Sequence, residues 1–101
     1  MLVARVDDDP TGCVALKRLP DGTCELKRLY VRPTARRGGT GRALVEATIA
    51  RARALGYGAL RLDTLPSMTA ARALYASLGF RPIGRYNDNP VPDVLFFELR
   101  L

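Results

Sequence analysis

The stretch LYVRPTARRGGTGRAL, residues 29–44, decides the fold of this chain. Within it, ARRGGTGRAL at 35–44 places three glycines and three arginines in ten positions, and an apolar helical pattern follows. Glycine weakens a helix and like charges repel each other, so the presence of three glycines and three arginines at the start of a helix needs an explanation. A strand, a glycine turn and a helix direct several backbone N–H groups and a helix dipole at one place. The stretch therefore predicts an anion site, and phosphate suits such a site.

Two common phosphate motifs do not fit the glycine stretch. A Walker A loop needs Gly-Lys-Ser/Thr, but the only lysines are Lys17 and Lys27, both in predicted strands. A dinucleotide fingerprint needs G-x-G-x-x-G, and Leu44 stands where its last glycine belongs. A tight turn without a ligand remains the alternative. The motif alone indicates an anion without saying which one.

Length and charge narrow the class of protein. The 101 residues suit one domain, and a net charge of +6 favours anionic partners, with a solvated basic surface as the alternative. Nucleic acid is not the expected partner, because the aromatic residues lie mostly inside apolar patterns. No apolar run approaches about 20 residues, and the start does not resemble a signal peptide. We therefore expect a cytoplasmic protein with no membrane partner.

The chain has no histidine, which excludes histidine-based catalysis and most zinc sites. A base must be a carboxylate, an acid must be a tyrosine, cysteine or water, and no metal is expected. Cys13 and Cys24 lie in a predicted hairpin that turns at residues 20–22. The expected register pairs them with Arg28 and Lys17, so they are too far apart for a disulfide and should be buried thiols.

Hydrophobic periodicity predicts the order β-β-β-α-β-α-β-β, an α+β (mixed α/β) single domain over residues 1–101. The first helix follows the glycine stretch and stops at Gly56, and the second has Ser67 or Thr69 as N-cap and closes at Gly79. A turn is expected at residues 7–10. The predicted strands cover residues 2–6, 12–18, 24–31, 59–65, 81–86 and 94–101.

The pattern Arg36-x-x-Gly39-x-Gly41 resembles the R/Q-x-x-G-x-G/A signature of the GNAT acyltransferase superfamily, which binds acetyl-CoA. The resemblance continues through ALRLDT at 59–64, ARALYASLGF at 71–80 and FRPIGRYNDNPVPDVLFFEL at 80–99, so it covers almost the whole chain in the family's order. It implies a central mixed, mostly antiparallel sheet with two helices. It also implies an acetyl-CoA-dependent N-acetyltransferase in which a primary amine, of a small molecule or a peptide, attacks the acetyl group directly.

The resemblance further assigns site residues. It implies that the strand ending at Val31 and the next strand along the chain splay apart, and that Tyr75 protonates the departing thiolate. It also implies that the proton of the amine is taken by water or by Glu25, eleven residues before Arg36. A phenol suits the first role because it is neutral at pH 7 and can donate a proton. The pantetheine arm is assigned to the backbone of Leu29, Tyr30 and Val31, and the pyrophosphate to Arg36, Arg37, Gly38, Gly39, Thr40, Gly41 and Arg42.

Each catalytic assignment has a structural alternative. Tyr75 has the helical spacing of a core residue beside Leu74 and Leu78. Glu25 is expected to be a solvated carboxylate paired with Lys27 or Arg28 unless it acts as a base. Cys24 is expected to be a core thiol rather than a nucleophile, because the family transfers the acyl group directly.

Two departures from the family pattern affect the predicted function. Met68 stands where many members carry an asparagine that contacts the cofactor. The usual first strand and two helices, which form much of the acceptor pocket, do not precede this sequence, so we expect a short form or a late start. An uncovered sheet edge would then favour a homodimer or a partner chain. A non-catalytic acyl-CoA-binding module and a basic nucleic-acid-binding domain remain alternative functions.

Overall fold

Six strands and two helices, in the predicted order, form the computed structural model, which describes residues 2–6, 9–31 and 39–101. This arrangement confirms the predicted fold class. The strands are β1 (Leu2–Val6), β2 (Asp9–Arg18), β3 (Thr23–Val31), β4 (Ala59–Thr64), β5 (Arg81–Ile83) and β6 (Leu95–Arg100), and the helices are α1 (Thr40–Ala54) and α2 (Thr69–Ser77).

The strands form one sheet in the order β1-β2-β3-β4-β6-β5. The β3–β4 pair is parallel, and every other neighbouring pair is antiparallel, as expected for a mixed, mostly antiparallel sheet. Strands β1 and β5 lie at the two edges. The single parallel pair at the centre is the pair that the resemblance predicted to splay.

The hydrophobic core lies between the sheet and the helices. Period-2 side chains of the strands meet the helical stripe of α1, so apolar area is removed from water on both elements. Thr48 is buried in this stripe because its hydroxyl donates to the Leu44 carbonyl over 2.8 Å. Leu55, whose spacing would also place it in this stripe, is exposed where the helix ends. The buried apolar side chains include Val14, Cys24, Leu26, Leu44, Val45, Ile49, Ala52, Leu60, Leu62, Tyr75 and Phe80.

Both helices end at the predicted glycines. Gly56 and Gly79 have φ values of 86° and 96°, the left-handed region that glycine adopts without strain. The N–H of Phe80 donates to the Tyr75 carbonyl and that of Gly79 to the Ala76 carbonyl, the bonding of a Schellman motif. This closure places Tyr75 in the last full turn of α2.

The predicted N-cap of α2 is wrong. Met68 occupies the cap position and makes no side-chain cap bond, and Thr69 is the first helical residue. Backbone bonds within the turn replace a side-chain cap, because the N–H of Met68 donates to Leu65 and that of Thr69 to Ser67. Local turn geometry therefore prevailed over the general preference for serine and threonine at this position.

The β2–β3 hairpin has a different register from the predicted one. Its connection is a three-residue 3₁₀ turn, closed by the bond from Leu19 N to Thr23 O, so Cys24 pairs with Arg18 and Cys13 with Tyr30. No disulfide joins the two cysteines, as expected. Cys24 is buried, but Cys13 is only half-buried, which corrects the prediction that both are buried.

Two predicted boundaries also change. Asp9 and Pro10 belong to β2 rather than to a turn, and Asp7 and Asp8 lie outside the described residues. Strand β5 ends at Ile83 instead of residue 86. Beyond it, side-chain oxygens of Asn87 and Asn89 accept backbone N–H bonds in place of a neighbouring strand. Residues 84–94 therefore form a loop, called here the β5–β6 loop.

Gly12 sets the distance between α1 and the sheet. A Cβ at this position would lie 2.7 Å from the Tyr30 carbonyl oxygen and 3.0 Å from Leu44 Cδ1. Because that carbonyl belongs to the paired backbone of β3, it cannot turn aside as a side chain can. The N-terminal turn of α1 therefore packs this closely on β2 and β3 because residue 12 lacks a side chain.

We expect Gly12→Ala to lower the free energy of unfolding by about 1–3 kcal/mol, as overpacking does, although alanine ordinarily costs less backbone entropy. Urea denaturation measures this change. The matched control is Gly84→Ala, because no atom lies within 4 Å of a Cβ built there. Equal stability of Gly12→Ala and the wild-type protein would contradict the close contact.

Candidate active site

The centre of the sheet opens into a gap between β3 and β4. Only three residue pairs join these strands, and Glu25 with Arg61 is the last of them. Strand β3 continues to Val31 and β4 to Thr64 without further pairing to each other. Backbone groups of β3 beyond Glu25 therefore face the gap, because half of a strand's N–H and C=O groups point to each side. This gap, called here the splay, agrees with the implied opening.

The pairing of β3 with β2 is also irregular in the part of β3 that lines the splay. Cys13 pairs with Tyr30 and Ala15 with Lys27, so β3 carries one extra residue between these two pairs. Such a bulge bends a strand and increases its twist. It lies in the half of β3 that has lost its partner β4. The bulge therefore accompanies the separation of the two strands.

The N-terminus of α1 adjoins this unpaired half of β3. Gly39 caps the helix with a φ of 77°, and the first intrahelical bond joins Ala43 N to Gly39 O over 3.0 Å. The N–H groups of the three residues between them have no intrahelical acceptor. No acidic residue occupies this first turn. Within the described part of the chain no side chain caps these N–H groups, and the helix dipole favours an anion there.

Contacts at Gly12 fix where this helix end lies. The Thr40 methyl group and the Tyr30 carbonyl oxygen both come within 3.3 Å of a Cβ built on Gly12. Tyr30 belongs to the part of β3 that forms one wall of the splay. An anion at the start of α1 would thus lie beside the strand that the resemblance assigns to the pantetheine arm.

The predicted cofactor residues fall into two groups. Arg36, Arg37 and Gly38 lie outside the described residues and remain predictions. Gly39, Thr40, Gly41 and Arg42 form the cap and first turn of α1.

The Arg42 side chain does not point freely from the helix end. Its Nη2 donates to Ser77 Oγ over 2.6 Å, and its Nη1 lies 3.4 Å from Glu46 Oε1. The guanidinium therefore joins α1 to α2, and the backbone N–H is the group that Arg42 offers to an anion.

Glu25 is buried, with 2% of its surface exposed, so the prediction of a solvated carboxylate is wrong. The Tyr86 hydroxyl donates to its Oε2 over 2.5 Å, and Asn87 Nδ2 donates to the same oxygen over 3.1 Å. The expected pairing with Lys27 is present, with Nζ 3.4 Å from Oε1. These donors make burial of the carboxylate tolerable, because each replaces lost hydration.

A second carboxylate, Asp63 on β4, shares partners with Glu25. Its Oδ2 accepts bonds from Asn87 Nδ2 over 2.8 Å and Asn89 Nδ2 over 3.3 Å, and it lies 3.5 Å from Lys27 Nζ. Burial acts to raise the pKa of Asp63, but the bonds from Asn87 and Asn89 and the charge of Lys27 lower it below its ordinary value. Asp63 is therefore ionised at neutral pH.

Tyr86 closes one side of this cluster from the β5–β6 loop. Its ring packs edge-on against Phe96, with 5.3 Å between centroids, and the Arg61 guanidinium lies 5.6 Å from the ring centre. Arg61 is itself paired with Glu98 over 2.8 Å. Burial and the hydrogen bond to Glu25 raise the pKa of Tyr86 far above its usual range. Its hydroxyl therefore stays protonated and keeps donating to Glu25.

Tyr75 projects from α2 into the core, and 5% of its surface is exposed. Its ring contacts Phe80 at a centroid distance of 5.6 Å. Burial and then the negative charge of Asp63 raise the pKa of Tyr75 above its ordinary value. Tyr75 is thus a core residue, as the alternative expected. It is also a phenol that stays protonated at neutral pH, because burial and the charge of Asp63 both raise its pKa.

Cys24 is a poor candidate for a nucleophile. Burial raises the pKa of Cys24 to about 11, so it is a thiol at neutral pH, consistent with a core residue rather than a nucleophile. Met68 is half exposed at the start of α2.

Among residues 2–6, 9–31 and 39–101, no helix has the length and apolar character to cross a membrane. The same residues contain no group of three or more side chains suited to hold a metal ion.

The structure thus adds four polar side chains to the predicted pair of Glu25 and Lys27. They are Asp63, Tyr86, Asn87 and Asn89, which come from β4 and the β5–β6 loop. Asp63 could not be singled out in the sequence, because Asp63 and Arg61 both occupy polar positions of the alternating strand ALRLDTL. The asparagines resembled ordinary turn residues, so their contacts over more than 20 positions could not be foreseen.

Comparison with known proteins agrees with this arrangement. The model of the acetyltransferase (GNAT) family matches residues 1–80. The chain therefore belongs to the acetyltransferase (GNAT) family, which confirms the resemblance noted in its sequence.

Individual relatives support the same family. An uncharacterized N-acetyltransferase of Schizosaccharomyces pombe is 43% identical over 100% of this chain and 63% of its own length. An IAA acetyltransferase of Azospirillum brasilense is 41% identical over 96% of this chain and 65% of its own length. The chain thus spans slightly less than two thirds of each of these curated relatives.

A solved structure gives the same fold. A GNAT family acetyltransferase from Elizabethkingia anophelis, with acetyl-CoA bound, superposes with a TM-score of 0.87 at 26% identity. The match covers 98% of this chain and 74% of that one.

Proposed function

We propose that this chain forms the catalytic core of an acetyl-CoA-dependent N-acetyltransferase that acetylates a primary amine by direct attack. One observation carries the proposal: the free N–H groups at the start of α1 lie against the unpaired half of β3, beside the splay. An anion site and an open strand edge are thus neighbours. The names of the relatives and the acetyl-CoA in the Elizabethkingia anophelis structure support the same function.

The residues present fit acetyl-CoA. The first turn of α1 would hold the pyrophosphate through N–H groups of Thr40, Gly41 and Arg42, with Gly39, Arg36, Arg37 and Gly38 completing the loop. The backbone of residues 29–31 would bond the amide groups of the pantetheine arm as an added strand does. Acetyl-CoA supplies an acetyl group on a thioester, which an amine nitrogen can attack with release of a thiol.

The chain's own groups account for the two proton movements. Glu25 would take a proton from the amine, directly or through a water molecule, as the new C–N bond forms. Tyr75 would give a proton to the departing sulfur as the C–S bond breaks, because its phenol is held protonated. Backbone N–H groups of β3 in the splay would stabilise negative charge on the carbonyl oxygen. Solvent then restores the protonation of both side chains.

Two measurements test this function. Isothermal calorimetry should show acetyl-CoA binding, and a panel of amines followed by thiol release should then identify an acceptor. Acetyl-CoA binding without turnover of any amine would instead favour the non-catalytic module. Salt-dependent nucleic-acid binding without acetyl-CoA binding would contradict the proposal.

We expect Glu25→Gln to lower kcat about 100-fold while the Kd for acetyl-CoA changes less than about 2-fold, because general bases contribute at least that much. The amide has nearly the same shape and can still accept the Tyr86 hydrogen bond. Glu46→Gln is the matched control, since Glu46 is exposed on α1. A lower melting temperature with an unchanged kcat would give Glu25 a purely structural role.

We also propose a homodimer. Among the described residues, strand β1 forms one edge of the sheet, and a sheet edge can add a strand from a second chain. Sedimentation velocity at several concentrations distinguishes a dimer from a monomer. The cytoplasmic location stays a prediction of the sequence.

A further inference from the structure

The two carboxylates of the site differ in how many of their oxygens have a hydrogen-bond or ion-pair partner. Both oxygens of Glu25 have protein partners, Lys27 at Oε1 and the loop donors at Oε2. In Asp63, every contact from the described residues reaches Oδ2, and none reaches Oδ1. Among the described residues, Arg72 Nε is the one buried side-chain nitrogen or oxygen without a hydrogen-bond partner. Asp63 Oδ1 also has no partner from these residues but is not among the buried atoms, so it is accessible to solvent.

Asp63 lies where an incoming ligand would meet it. It stands two residues beyond Arg61, the last residue of β4 that pairs with β3, and so lies in the open part of the splay. The charge of Asp63 reaches Tyr75, the predicted acid. The unoccupied oxygen therefore belongs to the same region as the groups that would move protons.

The local charge favours a cation. Glu25, Asp63 and Lys27 together amount to two negative groups and one positive group. The nearby Arg61 is paired with Glu98 over 2.8 Å, and the exposed Arg100 is a more distant partner of Glu98. The low pKa of Asp63 makes it a poor proton acceptor at neutral pH. The same property keeps it charged, so it can form a charge-assisted hydrogen bond to an ammonium group.

We propose that Asp63 binds the acceptor as an ammonium ion through Oδ1, so that the site selects aliphatic amines over neutral acceptors. Asp63 is then a specificity-determining residue. The ammonium nitrogen loses one proton to solvent as it becomes a neutral amine and a second to Glu25 as the C–N bond forms, while Tyr75 protonates the departing sulfur. This inference rests on the proposed acetyltransferase function, because it names the class of acceptor for that reaction. Alcohols and weakly basic aryl amines, which are neutral at pH 7, would lack the contact.

The test compares n-butylammonium with n-butanol as probes, titrated by NMR into the CoA-loaded full chain of the wild-type protein and of Asp63→Asn. We expect the wild-type protein to bind n-butylammonium at least 10-fold more tightly than n-butanol. Asp63→Asn should weaken n-butylammonium binding about 10-fold to 100-fold, the value of one charge-assisted bond, and leave n-butanol unchanged. It should also raise the KM of any amine substrate by a similar factor without changing the Kd for acetyl-CoA.

Asp88→Asn is the matched control, because Asp88 is an exposed acid in the β5–β6 loop, between Asn87 and Asn89, and its loss changes the net charge equally. Unchanged acetyl-CoA affinity and melting temperature show that Asp63→Asn is folded. Equal binding of both probes to the wild-type protein, or equal n-butylammonium binding by the wild-type protein and Asp63→Asn, would overturn the inference. If acetyl transfer to an amine is still observed with either of these results, only the role of Asp63 is overturned and the proposed acetyltransferase function is unaffected. Selective, Asp63-dependent n-butylammonium binding without acetyl transfer to any amine would support the cation site and remove the proposed function.

Discussion

Gly41→Asp is expected to abolish acetyl-CoA binding without unfolding the protein. Gly41 lies in the first turn of α1, where N–H groups have no intrahelical acceptor. An aspartate there brings a carboxylate that can accept these N–H groups itself and repels the pyrophosphate. At about 4 Å near a protein surface, each repulsive charge pair costs about 1–4 kcal/mol, so a loss of affinity of about 100-fold or more follows.

The same substitution should not weaken the helix. Gly41 is not among the described glycines with positive φ, so a side chain is compatible with its backbone. Aspartate in a first turn interacts favourably with the helix dipole, by about 0.3–1 kcal/mol. Calorimetric titration with acetyl-CoA, together with the melting temperature, separates binding from folding.

Ala47→Asp is the control for this experiment, because it adds the same charge to an exposed position of α1 beyond the first turn. It should bind acetyl-CoA with nearly the wild-type Kd. Tight binding by Gly41→Asp would show that the pyrophosphate does not lie at this helix end.

Tyr75→Phe is expected to lower kcat about 100-fold or more while acetyl-CoA binding stays within about 2-fold of wild type. General acid catalysis is worth about 100-fold to 10,000-fold, and phenylalanine cannot donate a proton. The substitution keeps the ring that packs on Phe80, so the core should persist. Because burial and Asp63 raise the pKa of Tyr75 above 10.0, the wild-type phenol remains the proton donor throughout neutral and mildly alkaline pH.

Steady-state kinetics with an acceptor from the amine panel measures this effect, and calorimetry gives the Kd for acetyl-CoA. Tyr57→Phe is the control, since Tyr57 lies after α1 and its hydroxyl contacts Arg18 rather than the splay. Wild-type kcat in Tyr75→Phe would reduce Tyr75 to its packing role. A large fall in melting temperature would instead indicate that the hydroxyl stabilises the core.

The sequence predicted the elements and the helix ends because these depend on local patterns. Periodic apolar residues produced α1, and the glycines at 56 and 79 stopped both helices as expected. The hairpin register was missed because a three-residue turn replaced the expected closure, and shifting a register changes every cross-strand pair. Local propensity does not determine which of two similar turns forms.

The polar cluster could be predicted only in part. The resemblance identified Glu25, and its spacing predicted the pair with Lys27, because both lie on one face of β3. The burial of Glu25 depends on Tyr86 and Asn87, which are 61 and 62 positions away. Loop residues 84–94 have no periodic pattern, so nothing in their sequence shows that they fold over two carboxylates.

The backbone contact at Gly12 also sets the distance that the proposed acetyl donor must span. It fixes the start of α1 beside Tyr30, and Tyr30 lies five positions along β3 from Glu25, where the splay begins. At the rise of a strand this is about 16 Å. A donor held by its phosphates at one end needs an arm of that length to present an acetyl group at the other. A compact donor such as acetyl phosphate can occupy either end but cannot reach both.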